Sequence, residues 1–191
     1  METTPRNFWA ALLAALAFMA GGCGGGRAYL KEVLPAKSNY RVGVLDFRNL
    51  SETLSIGLER RLTEAAQFEL FTKGRYSVAG RGEMDSARER LEIKGDRTLG
   101  REEIKDLGEA LDLDLVIWGE VLEYERADVL RAFNSVRVML SIADARSGEE
   151  VGKVEYGELS MIETAESLAR RVVEKAVGML DGEFKKREGK S

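Results

Sequence analysis

Cys23 is the sole cysteine among 191 residues, and it stands between an unbroken apolar run and a string of glycines, FWAALLAALAFMAGGCGGGR from Phe8 to Arg27. Phe8 to Ala20 is 13 residues without a polar side chain. Wound as a helix, such a run reaches about 20 Å at ~1.5 Å per residue. That is short of the roughly 30 Å hydrocarbon core of a bilayer, but it suits the apolar region of a secretory signal. Arg6 and the amino terminus supply the positive flank, partly offset by Glu2. Residues 1–22 are therefore expected to be a signal segment removed from the mature chain.

Ala20, Gly21, Gly22 and Cys23 together resemble a bacterial lipobox, with Ala20 where the pattern usually has Leu. The resemblance implies a diacylglyceryl group on the Cys23 sulfur and cleavage just before it. The chemistry needs a thiolate as nucleophile and small residues that let a peptidase reach the backbone. The competing reading is an ordinary signal peptide with an incidental cysteine. Two acyl chains plus an N-acyl chain hold firmly where one binds marginally. Gly24, Gly25 and Gly26 read as a flexible leash within a tether over 23–39. Gly24 is not Asp, which by resemblance to enterobacterial sorting directs the chain to the outer membrane, on its periplasmic face.

Removal of residues 1–22 leaves 169 residues (191 less 22), and the net charge stays at −4 because Glu2 and Arg6 leave together. That length suits one domain with a sizeable core. The acidic balance speaks against broad nucleic-acid binding. With Cys23 acylated no thiol remains for a disulfide, so the core must hold the fold. The chain has no histidine. This excludes Ser-His-Asp and Cys-His machinery and His-containing zinc sites, and it removes the commonest general base.

Residues 27–39 read as a linker. Tyr40 to Phe47, YRVGVLDF, reads as a buried strand. Ser51 or Thr53 is expected to cap a helix carrying Leu54, Ile56, Leu58, Leu62, Ala65 and Ala66 through Gln67. Phe68 to Thr72 is a short strand candidate, as is Tyr76 to Ala79. Helices follow over Glu83–Leu91 and over REEIKDLGEAL, where Gly108 costs up to ~1 kcal/mol relative to Ala and so implies tight packing. Leu113 to Glu125 is a second strong strand. Val136, Val138, Leu140 and Ile142 alternate with Arg137, Met139 and Ser141 as one arm of a hairpin. Gly148 lies in its turn, and Val151 to Leu159 form the return. Thr164 to Phe184 repeats apolar residues at three and four, and 185–191 is a charged tail. The expected fold class is α/β: a single domain over 40–184, a mixed sheet flanked by helices, with a long C-terminal helix.

Several of these stretches resemble the CsgG-like lipoprotein superfamily. VGVLDFRNLSE is similar to its first strand and loop, YSVAGRGEMDSARERLEI to its valine–x–x–arginine…glutamate stretch, LGEALDLDLVIWGEVLEYE to its alanine-aspartate-x-isoleucine-x-glycine strand, and VRVMLSIADARSGEEV to its strand and turn, with Ser147 where Thr is usual. The likeness spans about Tyr40 to Leu159. It implies an α/β fold related to the N-terminal domain of TolB, and a protein-binding role like that of the curli secretion channel subunit or the activators of penicillin-binding proteins. A channel subunit inserts long β-hairpins, and each spanning strand needs about 9–11 residues. Arg126 to Ser135 and the SMIE link after Leu159 are too short for that.

The sequence thus points to a lipid-anchored outer-membrane lipoprotein that binds an envelope protein as an accessory or assembly factor, with no enzyme activity, cofactor or metal expected. A homo-oligomer is compatible with this reading. Cys23 is the lipidation site. Arg48 and Asn49 lie at the carboxyl end of the first strand, where ligands gather in open α/β sheets, although a polar loop with a cap is the blander reading. Val129, Leu130 and Phe133 sit in a link that should be polar and are expected to meet a partner or pack on the sheet edge. Glu83 and Asp85 suit a solvated helix start, and Trp118 suits the core. The rivals are an oligomeric secretion channel subunit and an envelope hydrolase using Asp46 or Asp144.

Overall fold

In a computed structural model the structure describes residues 24–31, 34, 37–53, 55–94, 97–130 and 132–188. The expected signal segment, Cys23 and Leu54 lie outside them. Among the described residues the fold is one α/β domain around a seven-stranded mixed sheet, as expected.

The strands are β1 (Gly24–Leu30), β2 (Tyr40–Val44), β3 (Arg48–Asn49), β4 (Tyr76–Val78), β5 (Leu115–Glu125), β6 (Asn134–Asp144) and β7 (Glu150–Ser160). The helices are α1 (Leu58–Thr72), α2 (Arg81–Arg90), α3 (Arg101–Leu111) and α4 (Ala165–Glu188). The sheet order is β1-β7-β6-β5-β2-β4, and β3 continues the line of β2 along β5. Pairings among β2, β3, β4 and β5 are parallel, and those among β5, β6, β7 and β1 antiparallel.

Alternation explains the two cores. Leu115, Ile117, Val136, Val138, Leu140 and Ile142 face α1 and α4, where Leu62, Leu70, Leu168, Val172 and Leu180 meet them. Val116, Ala143 and Leu113 face α2 and α3, with Met84, Ile104 and Leu107. Gly108 makes the second contact possible: a Cβ there would lie 2.5 Å from the Ala145 carbonyl oxygen. Gly119 does the same for Phe47, whose ring would be 2.2 Å from a Cβ at that position.

Four expectations are corrected. Gly24–Leu30, read as part of the 23–39 tether, is an edge strand zipped antiparallel to β7 from Gly24 opposite Glu158 to Leu30 opposite Gly152. Gly24 and Gly26 serve close approach: a Cβ at Gly26 would meet the Tyr156 ring at 2.5 Å and the Glu155 carbonyl at 2.6 Å. Phe68–Thr72 is no strand but the last turns of α1, because burial of Leu58, Leu62, Ala66 and Leu70 keeps helical period through it. That helix starts at Gly57, in the left-handed region, with no side-chain cap; Ser51 instead binds the Asn49 side chain. Finally α4 runs to Glu188, past the expected boundary at 184. Arg75 pairs with Asp181 at 3.0 Å and with Glu188 at 2.8 Å, and Tyr40, Tyr76 and Phe184 stack with centroids 4.9–6.4 Å apart.

Candidate functional site

Among the described residues, three surfaces stand out as lacking cover from the domain itself. The first is the groove between α1 and α4, about 380 Å³, with Leu58, Leu62, Ala65 and Phe68 as its apolar lining and Arg61, Glu64, Glu166 and Arg170 on its polar sides. Phe68 and Phe71 lie off the buried stripe of α1 and are 56% and 68% exposed. The strand assignment hid them. Continuing the helical period one more turn past Gln67 would have placed both aromatic rings on the outer face.

The second is the sheet face away from α4. Helices α2 and α3 cover only its β2–β5 half. The rest carries a charge ladder across four strands. Arg27 on β1 donates to Glu155 on β7 at 2.8 Å. Glu155 also takes Arg137 of β6 at 3.2 Å, and Arg137 approaches Glu123 of β5 at 3.5 Å. Ser135 donates to Glu123. The Arg27 and Arg137 guanidiniums hold the Glu155 carboxyl below its ordinary range. Together these residues line an open depression of about 570 Å³.

The third is one end of the sheet, where β5 ends, β6 begins and β7 ends. Val129 and Leu130 in the β5–β6 link, Met161 and Ile162 in the β7–α4 link, and Ile56 before α1 all point outward. Polar contacts hold the links in place. Arg126 lies 3.4 Å from the Ser55 hydroxyl and 3.6 Å from Glu166. Asn134 donates to the Glu163 carbonyl at 2.7 Å, and Ser160 accepts the Glu163 N–H at 3.1 Å. Val129 and Leu130 therefore do not pack on the sheet edge. Phe133, at 40% exposure, is half covered.

Arg48 and Asn49 are engaged internally. Asn49 Oδ1 accepts from the Ser51 N–H and hydroxyl, and its amide donates to the Thr53 carbonyl at 2.9 Å. Arg48 binds Thr98 and lies 3.7 Å from Glu120. The two residues form the short strand β3 against β5, and neither caps the following helix, which starts at Gly57. Trp118 is half-buried against the smaller core. Glu83 accepts the Gly80 N–H at 2.8 Å at the start of α2, and Asp85 lies 3.6 Å from Arg81. Asp46 sits between Arg81 and Arg88, while Asp144 accepts the Ser147 N–H at 2.7 Å in the β6–β7 turn. Val42 and Asp144 both register with Leu115. Asp46 lies four residues beyond Val42, about 13 Å along the strand direction, so the two carboxylates do not converge.

No protein-family model matches the sequence, and no curated protein matches it significantly. Solved structures do match. A PelC dodecamer subunit from Paraburkholderia phytofirmans superimposes with a TM-score of 0.57 at 17% identity, over 82% of this chain and 96% of that one. Lipoprotein GNA1162 from Neisseria meningitidis gives 0.52 at 15% identity, over 80% and 99%. LpoB from Escherichia coli gives 0.50 at 14% identity, over 76% and 63%. What they share with this chain is the fold.

Proposed function

We propose that this chain is an outer-membrane lipoprotein, anchored through acyl chains on Cys23, whose periplasmic α/β domain binds an envelope protein as an accessory or assembly factor and catalyses no reaction. The CsgG-like kinship read from the sequence motifs belongs to this proposal. The observation that carries the binding role is Phe68, exposed in the lining of the α1–α4 groove, with Phe71 exposed three residues further along α1. Aromatic anchors next to an apolar cleft with charged sides are the usual build of a protein contact. The likeness in fold to a protein that is itself a lipoprotein, GNA1162, supports the anchor.

A photo-reactive residue at Phe68, introduced in the native cell, tests this reading. One envelope protein should be captured there, not from Glu109 on α3, and capture should fail when Phe71→Asp is added. Equal capture at both positions, or none at Phe68, would overturn the binding site.

A second reading is self-association, favoured by the dodecameric state of PelC. Such a ring would not be a β-barrel pore built from these links. The β5–β6 connection is Arg126–Phe133 and the β7–α4 connection Met161–Thr164, and each spanning strand needs about 9–11 residues. Light scattering of the detergent-extracted mature protein separates a ring from a monomer.

A further inference from the structure

We infer that the apolar end of the domain lies against the membrane surface, with Leu130 and Ile162 inserted among the lipids, so that the anchor fixes the orientation of the domain as well as its location. This rests on the reading of Cys23 as lipidated.

The argument is one of reach. Gly24 is already a strand residue, paired with Glu158, two residues before β7 ends at Ser160. Cys23 is one peptide unit before it, about 3.8 Å between Cα atoms. Acyl chains on that residue begin where β7 runs out into Met161 and Ile162. No leash separates lipid from fold, because β1 is held over its whole length.

What stands at that end suits the location. Ile56, Leu130, Met161 and Ile162 are 97%, 93%, 73% and 82% exposed, on three different links that polar contacts tie together. Isolated exposed apolar residues are ordinary, but four of them gathered on linked connections at one end of a sheet point to an interaction surface. The Leu130 N–H is bonded by Asp128 at 2.8 Å and the Ile162 N–H by the Ser160 hydroxyl at 3.3 Å. Both N–H groups are thus satisfied within their own turns, which lowers the cost of bringing these two residues into the headgroup region. Apolar groups on a surface-bound protein sink about 5–10 Å, to the boundary between headgroups and acyl chains. The opposite end, around Arg146 and the C-terminus of α4, then points away from the membrane.

The test uses the full mature, acylated protein in vesicles of phosphatidylethanolamine and phosphatidylglycerol. An environment-sensitive dye is placed on the one free thiol of each of three variants, Leu130→Cys, Ile162→Cys or Arg146→Cys. The proposal expects all three to float with the vesicles. Dyes at 130 and 162 should be blue-shifted and quenched several-fold more by nitroxide-bearing acyl chains than the dye at 146. Flotation with equal, water-like signals at the three sites would overturn the orientation and leave the anchor standing. Blue-shifted emission at 130 and 162 without nitroxide quenching would mean that protein, a partner or a second copy, covers this end, and would also overturn it. Failure to float would remove the anchor and this inference together.

Discussion

Gly24 lies opposite Glu158 across the β1–β7 ladder, and a Cβ at Gly24 would be 2.6 Å from Glu158 Cγ. The same crowding recurs at Gly26, whereas a Cβ at Gly25 would meet nothing within 4 Å. Gly26→Val is therefore expected to cost about 1–3 kcal/mol through overpacking and to release β1. Gly25→Ala should be nearly neutral. Urea unfolding gives the cost, and hydrogen exchange over 24–30 reports the release. Absence of protection over 24–30 in the unmodified chain would return this segment to the role of a tether.

Two glycine-to-alanine changes in helices should have opposite signs. Gly178 in α4 has nothing within 4 Å of its would-be Cβ, while Gly108 in α3 faces the Ala145 carbonyl at 2.5 Å. In an unobstructed helix interior Ala gains about 0.5–1 kcal/mol over Gly. Gly178→Ala should thus raise the melting temperature. Gly108→Ala should lower it, because α3 must shift away from the sheet.

Glu158 is almost fully buried, yet it accepts from Arg171 Nε at 2.7 Å and from the Tyr156 hydroxyl at 2.6 Å. Burial, and then this bond to Glu158, pushes the Tyr156 hydroxyl up to about 12. Arg171→Met leaves Glu158 with one partner fewer and is expected to destabilise by about 2 kcal/mol, the usual scale for a hydrogen bond to a charged group. Restoring stability by the double change Arg171→Met with Glu158→Gln would show that the penalty comes from the stranded charge.

Asp114 sets an acid limit on the fold. Its burial raises the carboxyl, but the Lys37 ammonium and the Arg41 backbone N–H at 3.0 Å outweigh that and leave it below the ordinary aspartate value. A carboxyl lowered in the folded state adds stability that is complete above the unfolded value, about 3.9. That stability is lost as the pH falls through the folded one. Asp114→Asn should therefore flatten the loss of stability below about pH 4. Chemical unfolding at a series of pH values measures the slope.

The main elements could be read from the chain because their signals are local. The alternation of Val136 to Ile142 and the three-and-four spacing from Leu168 to Leu180 each require only one segment and one period. The misses were residues whose state depends on a distant partner. Gly24 to Gly26 look flexible until β7 is brought beside them, for nothing nearby in sequence reveals that Tyr156 and Glu155 demand bare backbone there. Phe68 and Phe71 look strand-like in isolation, although the spacing of Leu62, Ala66 and Leu70 carries the helical period through them. Lys185 to Glu188 look like a frayed tail until Arg75, more than a hundred residues earlier, supplies the ion pair. At the candidate surfaces the residues Val129 and Leu130 were legible as misfits in a link. Their meeting with Ile56, Met161 and Ile162 was not, because it follows from the sheet order.

Mass spectrometry of the N-terminal peptide of the mature chain, taken from membranes, tests the whole account most directly. The peptide should begin at Cys23 and carry a diacylglyceryl group on sulfur and an acyl group on nitrogen. A mature chain starting elsewhere, or one with a free thiol at Cys23, would contradict it.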